Sequence, residues 1–175
     1  GQLQPGFMQS IAKAEFDHYL TENTVVPLHA RDLNEMREKS VVNAQALEDT
    51  FIEHGLVKKT LVSEKKWVVP LPNYPRVVLT GIMDLMVMED NLILDLKVTK
   101  NASFMDVTQL NLYAMMGVFS GLKTTRAGFI VPLRKEKLVE MTFEAADFSA
   151  LYKDIQDVLV VIDSGLHTGQ WLYRY

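Results

Sequence analysis

A chain of 175 residues suits one domain, and with 48% hydrophobic residues it can bury a substantial core. It has no cysteine, which excludes disulfides, thiol catalysis, thiolate zinc sites and iron–sulfur clusters together. A formal net charge of −4 argues against a broadly basic nucleic-acid surface, although Lys58-Lys59, Lys65-Lys66 and Arg134-Lys135 with Lys137 gather some of the cations. Residues 7–20 are expected to form a short amphipathic helix, and the stretch 23–28, with Pro27, a loop. A second helix is expected over 30–54, rich in good helix formers and followed by Gly55 where a C-terminal cap belongs. Three strands follow, at 60–71, 76–88 and 92–99. Pro72-Asn73-Tyr74-Pro75 turns the chain after the first, and Glu89, Asp90 and Asn91 supply tight-turn chemistry for a hairpin between the other two. A helix over 104–119 is closed by Gly121, and 125–133 and 138–143 read as two further strands. The last helix, 146–162, carries an apolar stripe of Phe148, Leu151, Tyr152, Ile155, Leu159 and Ile162 at helical spacing, which marks it as core.

The order helix, three strands, helix, strands, helix predicts an α/β domain with a mixed central sheet flanked by helices. One domain is expected over 1–175: an N-terminal helix and loop (1–29), a core (30–163) and a tail (164–175). No apolar run approaches a membrane span and the first residues do not read as a signal peptide, so no membrane partner is expected. The four histidines, His18, His29, His54 and His167, show no ligand-like spacing.

The hairpin carries the chemistry. Side chains alternate along a strand, so Leu92, Leu94, Leu96 and Val98 are expected on one face and Asp95, Lys97 and Thr99 on the other. On the preceding strand Leu79, Gly81, Met83, Leu85 and Val87 share a face, and Asp84 lies opposite them. A two-residue turn sets Asp84 across from Asp95 or Lys97, and either register brings the three onto one face away from the leucines. Opposed Cβ atoms in a hairpin lie about 5 Å apart. Two carboxylates at that distance repel, and a divalent cation with a taste for hard oxygen, Mg²⁺ or Mn²⁺, removes the repulsion. A neighbouring ammonium stabilises negative charge as it develops, a combination suited to phosphodiester hydrolysis. The bland alternative is a polar hairpin face in which Lys97 only pairs with Asp84 or Asp95.

Gly81-Ile82-Met83-Asp84, a tight turn, Ile93-Leu94-Asp95-Leu96-Lys97, and then Gln109 and Tyr113 four residues apart on a helix together resemble the PD-(D/E)XK nuclease superfamily, in particular its RecB-type and phage-exonuclease branch. The resemblance covers about residues 60–120 and implies a restriction-endonuclease-like core. It implies that Asp84 and Asp95 are metal ligands, that Lys97 is the catalytic lysine, and that Gln109 and Tyr113 hold substrate or support the catalytic residues. A further acidic ligand is implied on the preceding helix. Glu48 is the first choice for it, Glu53 the second, followed by His54 and Asp49, and no Gly-x-x-x-His box is present. Glu64 on the first strand reads as an exposed charge. The expectation is a Mg²⁺- or Mn²⁺-dependent deoxyribonuclease, an exonuclease of recombination, repair or phage DNA processing, acting by in-line attack of a metal-activated water. Its expected partners are single- or double-stranded DNA and a homo-oligomer or larger recombination or repair complex, inside a bacterium or phage-infected cell. The runner-up is an inactive nuclease-like fold kept as a nucleic-acid or protein-binding module.

Overall fold

Apolar residues of the strands pack on two faces of one sheet, whereas the stripe of the last helix, expected as core, is only half-buried and Ile162 is exposed. The computed structural model describes residues 6–23, 30–123 and 126–168. Among these, the helices are α1 (Phe7–Glu22), α2 (Ala30–Glu53), α3 (Val107–Phe119) and α4 (Ala145–Thr168). The strands are β1 (Leu61–Leu71), β2 (Tyr74–Val87), β3 (Leu92–Leu96), β4 (Arg126–Ile130) and β5 (Leu138–Thr142). They form a five-stranded sheet in the order β1-β2-β3-β4-β5. Only β3 and β4 run parallel, and α3 makes the crossover that such a pair requires. The other neighbours are antiparallel, so the fold is a mixed α/β sheet flanked by helices.

Several boundaries differ from the expected ones for local reasons. The β1–β2 turn is Pro72-Asn73 alone, since Leu71 already pairs with Tyr74, and Asn73 takes the positive φ of 64° that such a turn needs. The β2–β3 hairpin closes over Met88, Glu89, Asp90 and Asn91 rather than two residues, because Val87 pairs with Leu92. β3 stops at Leu96 instead of reaching residue 99. The expected helix at 104 is a separate 3-10 turn (Ala102–Phe104), and α3 starts at Val107 because the Asp106 carboxylate caps it by accepting from Thr108 N at 2.9 Å. α4 runs past residue 162 to Thr168, so part of the expected tail is helical. The rest of that tail, most of the loop at 23–28 and the expected strand start at 125 lie outside the described residues.

One apolar cluster gathers Trp67, Met83, Met86, Ile93, Ala127 and Phe129 under Leu110, Ala114 and Met116 of α3, with Phe148 of α4 packed against it. The other gathers Leu85, Val87, Leu92, Leu94 and Ile130 with Leu56, and Leu47 and Phe51 on the α2 side pack against it. The central strands are therefore covered on both faces, as strands in a parallel pair usually are. The β3 face opposite Leu92 and Leu94 is accordingly covered too: Ile93 and Asp95 point into the α3 side.

Helix α1 lies against α2, and two polar ties hold it. Arg37 pairs with Asp17 through two hydrogen bonds, at 2.8 and 2.6 Å. Glu48, only 1% exposed, accepts from Gly6 N at 2.7 Å and Met8 N at 2.8 Å. A carboxylate on the unpaired N–H groups of a helix start satisfies them and complements the helix dipole. Glu48→Ala strands those donors, and the expected loss is about 1–3 kcal/mol of stability, read as a lower urea midpoint. Mn²⁺ affinity measured by calorimetry should not change.

Candidate active site

The β2–β3 ladder ends at Leu85–Leu94, so its continuation sets Asp84 opposite Asp95. Strict alternation fails at this point. Met83 packs on the α3 side, whereas Leu85 and Val87, which alternation would place with it, pack on the α2 side. The partner strand breaks at the same level: Glu64 lies between the pairs Ser63–Leu85 and Lys65–Met83 and has a φ of +50°. Positive φ in a non-glycine residue stores strain, which concentrates at functional sites. The break frees Asp84 from the pleat. Its exposed side chain closes the end of the ladder, Oδ2 accepting from Leu96 N at 2.8 Å.

Asp95 is 2% exposed. Its Oδ1 accepts from Gln109 Nε2 at 3.0 Å, and its Oδ2 forms an ion pair with Lys97 Nζ at 2.7 Å. Lys97 Nζ also donates to Gln109 Oε1 at 3.2 Å. Gln109 thus holds the carboxylate with its amide nitrogen and the ammonium with its amide oxygen. The Asp106 cap makes this possible by starting α3 where Gln109 falls in its first turn. One turn on, Tyr113 lies 3.3 Å from Gln109 Nε2, and its hydroxyl donates to Ile82 O at 2.8 Å, pinning α3 to β2. Gly81 lets the two approach: a Cβ there would meet Tyr113 Cε1 at 3.2 Å and Met116 Sδ at 3.3 Å.

Burial pushes the Asp95 carboxyl above the usual carboxylate range. The hydrogen bond and charge of Lys97 act against this, and the nearby Asp84 charge adds to it. The pair is thus a strained electrostatic arrangement that an extra positive charge would relax.

Asp84, Asp95, Lys97, Gln109 and Tyr113 come together as the motif spacing suggests. Glu48 does not join them, because its carboxylate is committed to the start of α1. Glu53 pairs with Lys137 at 2.8 Å, Asp49 accepts from Gln45, and His54 is exposed. Among the described residues no three His, Asp or Glu side chains group so as to hold a metal, so the helix ligand implied by the resemblance has no counterpart there. The strained Glu64 beside Asp84 was not legible in the sequence, since positive φ in a glutamate leaves no compositional trace.

No family model and no curated protein matches the chain. Among solved structures, the crystal structure of SSO0001 aligns over 86% of this chain and 85% of that one, at 12% identity and a TM-score of 0.38. Among the described residues no helix is long and apolar enough to cross a membrane.

Proposed function

We propose that the chain is a metal-dependent nuclease domain of the PD-(D/E)XK type, hydrolysing DNA phosphodiesters as an exonuclease in recombination, repair or phage DNA processing. The observation that carries this reading is the single network of Asp95, Lys97 and Gln109 with Asp84 opposite in register. Two carboxylates on neighbouring interior strands of the sheet suit Mg²⁺ or Mn²⁺, since Mg²⁺ commonly keeps several waters and takes only one or two carboxylates plus substrate phosphates. Asp84 and Asp95 would hold the cation, which supplies a more acidic water and neutralises phosphate charge when bound. The chain's own residues do the rest. Lys97 presents an ammonium to a phosphate oxygen, Gln109 fixes Lys97 and Asp95 relative to each other, and Tyr113 holds the helix that carries Gln109.

The test is end-labelled single- and double-stranded DNA incubated with Mg²⁺, Mn²⁺ or EDTA. Cleavage with metal and none with EDTA is expected. Absence of cleavage under every condition removes the proposal. A second reading, an inactive fold that binds nucleic acid or protein, draws on one specific observation: Lys97 already neutralises Asp95, and Glu48 is spent on α1. That reading expects binding without cleavage.

A further inference from the structure

The loops leaving the carboxyl ends of the parallel strands β3 and β4 line an open cleft of about 660 Å³. Lys100, Leu133, Arg134, Lys135 and Glu136 line it. Lys100 follows Lys97 on the loop toward α3, and residues 133–136 belong to the β4–β5 connection. The two loops are tied to each other and to the site. Lys97 N donates to Ile130 O at 2.9 Å, Arg134 N donates to Val131 O at 3.0 Å, and Arg134 Nη1 lies 2.7 Å from Met105 Sδ.

Charge distinguishes this cleft from the rest of an acidic chain. It holds three cations against one carboxylate. Among the described residues Lys100, Arg134 and Lys135 make no ion pair, and, unlike the other cations without one, they converge on a single concavity. Unpaired cations facing one concavity repel one another and favour a ligand that brings several negative charges at intervals. A sugar–phosphate backbone does so, and phosphate contacts from Lys and Arg fix a strand's position without reading its bases.

We propose that Lys100, Arg134 and Lys135 form the track that carries a nucleic-acid strand past Lys97, binding its phosphates independently of sequence. This deepens the nuclease reading and rests on it for the direction of the strand toward Asp84 and Asp95. It needs no metal, and that separates the two experimentally.

The measurement is fluorescence anisotropy of labelled oligonucleotides in EDTA across a salt series. The proteins are wild type, the triple variant Lys100→Ala/Arg134→Ala/Lys135→Ala, and Glu136→Lys. Each phosphate contact contributes a slope of about −0.7 in log affinity against log salt for a single strand. Loss of three contacts should flatten the slope by about 2 and weaken binding about tenfold or more, equally for unrelated sequences. Glu136→Lys should bind more tightly than wild type, which keeps the test decisive if the triple variant folds poorly. A well-folded triple variant with wild-type affinity and slope overturns the track, even where wild type cleaves DNA. Wild type that binds no oligonucleotide overturns it as well. Wild type that binds through these residues and cuts nothing upholds the track while removing the hydrolytic reading.

Discussion

Asp95→Asn is expected to lose metal-dependent DNA cleavage and, at the same time, to melt higher than wild type at pH 7. The two effects have one cause. Asp95 is 2% exposed, and burial holds its carboxyl pKa above the ordinary value despite Lys97. For a carboxylate whose folded pKa is raised, the native state binds more protons than the unfolded chain in the interval between the two values. Its contribution is therefore most favourable below the unfolded pKa, near 3.9. That contribution is lost as pH rises through the folded value, so at neutral pH the ionised group is a liability. Asparagine removes the charge, and its amide oxygen can still accept from Gln109 Nε2, which now bonds Asp95 Oδ1 at 3.0 Å. The gain should be a few degrees at pH 7 and should vanish below about pH 4, where wild-type Asp95 is protonated in both states. Carboxylates stabilised by their partners, such as Glu53 with Lys137 and Glu89 with Thr60, titrate in both proteins and cancel in the difference. Mn²⁺ should reverse the order, because a ligand at 100 times its Kd adds about 2.7 kcal/mol to the protein that binds it. Thermal melts with and without Mn²⁺ from pH 4 to 8 decide the matter. A variant less stable than wild type at every pH would show that the Lys97 ion pair outweighs the cost of burying Asp95.

Much of the fold was legible because the sequence alternates or repeats where the elements do. The periodic stripe of α4, Gly55 after α2 and the turn residues of both hairpins placed those elements to within a few residues. The site triad was legible for a narrower reason: hairpin pairing conserves parity, so Asp84 stays opposite Asp95 whether the connection holds two residues or four. Three features depended on tertiary contacts that spacing does not encode. The apparently polar face of β3 is roofed by α3, and only the helix crossover between parallel strands decides that. Glu48 sits mid-helix beside Leu47, as a site ligand would, yet its partners are Gly6 and Met8, far along the chain. The kink shared by Glu64 and Asp84 belongs to two strands jointly and to neither sequence alone. Arg134-Lys135 was visible as a charge cluster, but nothing in the order of residues brings Lys100 to it.

Lys97→Ala is expected to slow single-turnover DNA cleavage by about 10²–10³, the usual cost of removing one group that stabilises transition-state charge. The sequence alone suggests that the fold should survive this change, since Lys97 lies on the face opposite Leu92, Leu94 and Leu96 and supports no core packing. The structure adds a stabilising role. The Lys97 side chain is 23% exposed, and it is the cation whose hydrogen bond and charge hold down the Asp95 pKa. Its loss leaves the buried carboxylate with Gln109 as its remaining polar partner, which typically costs about 1–3 kcal/mol and drives Asp95 toward protonation. A fall in rate could then come from a missing ammonium or from a neutralised Asp95, and three comparisons separate them. Lys97→Arg retains the charge, so it should keep the melting temperature near wild type while losing rate if ammonium placement matters, because guanidinium is planar and broader. Asp95→Asn/Lys97→Ala has no carboxylate to strand, so it should be more stable than Lys97→Ala alone, a coupling expected of groups in direct contact. Raising the pH should restore ionised Asp95 in Lys97→Ala, and any rate lost through protonation should return with it. A deficit of about 10²-fold that persists at high pH, measured well below the melting temperature, assigns the loss to the ammonium itself. Wild-type cleavage by a less stable Lys97→Ala would leave Lys97 as a structural partner of Asp95 and nothing more.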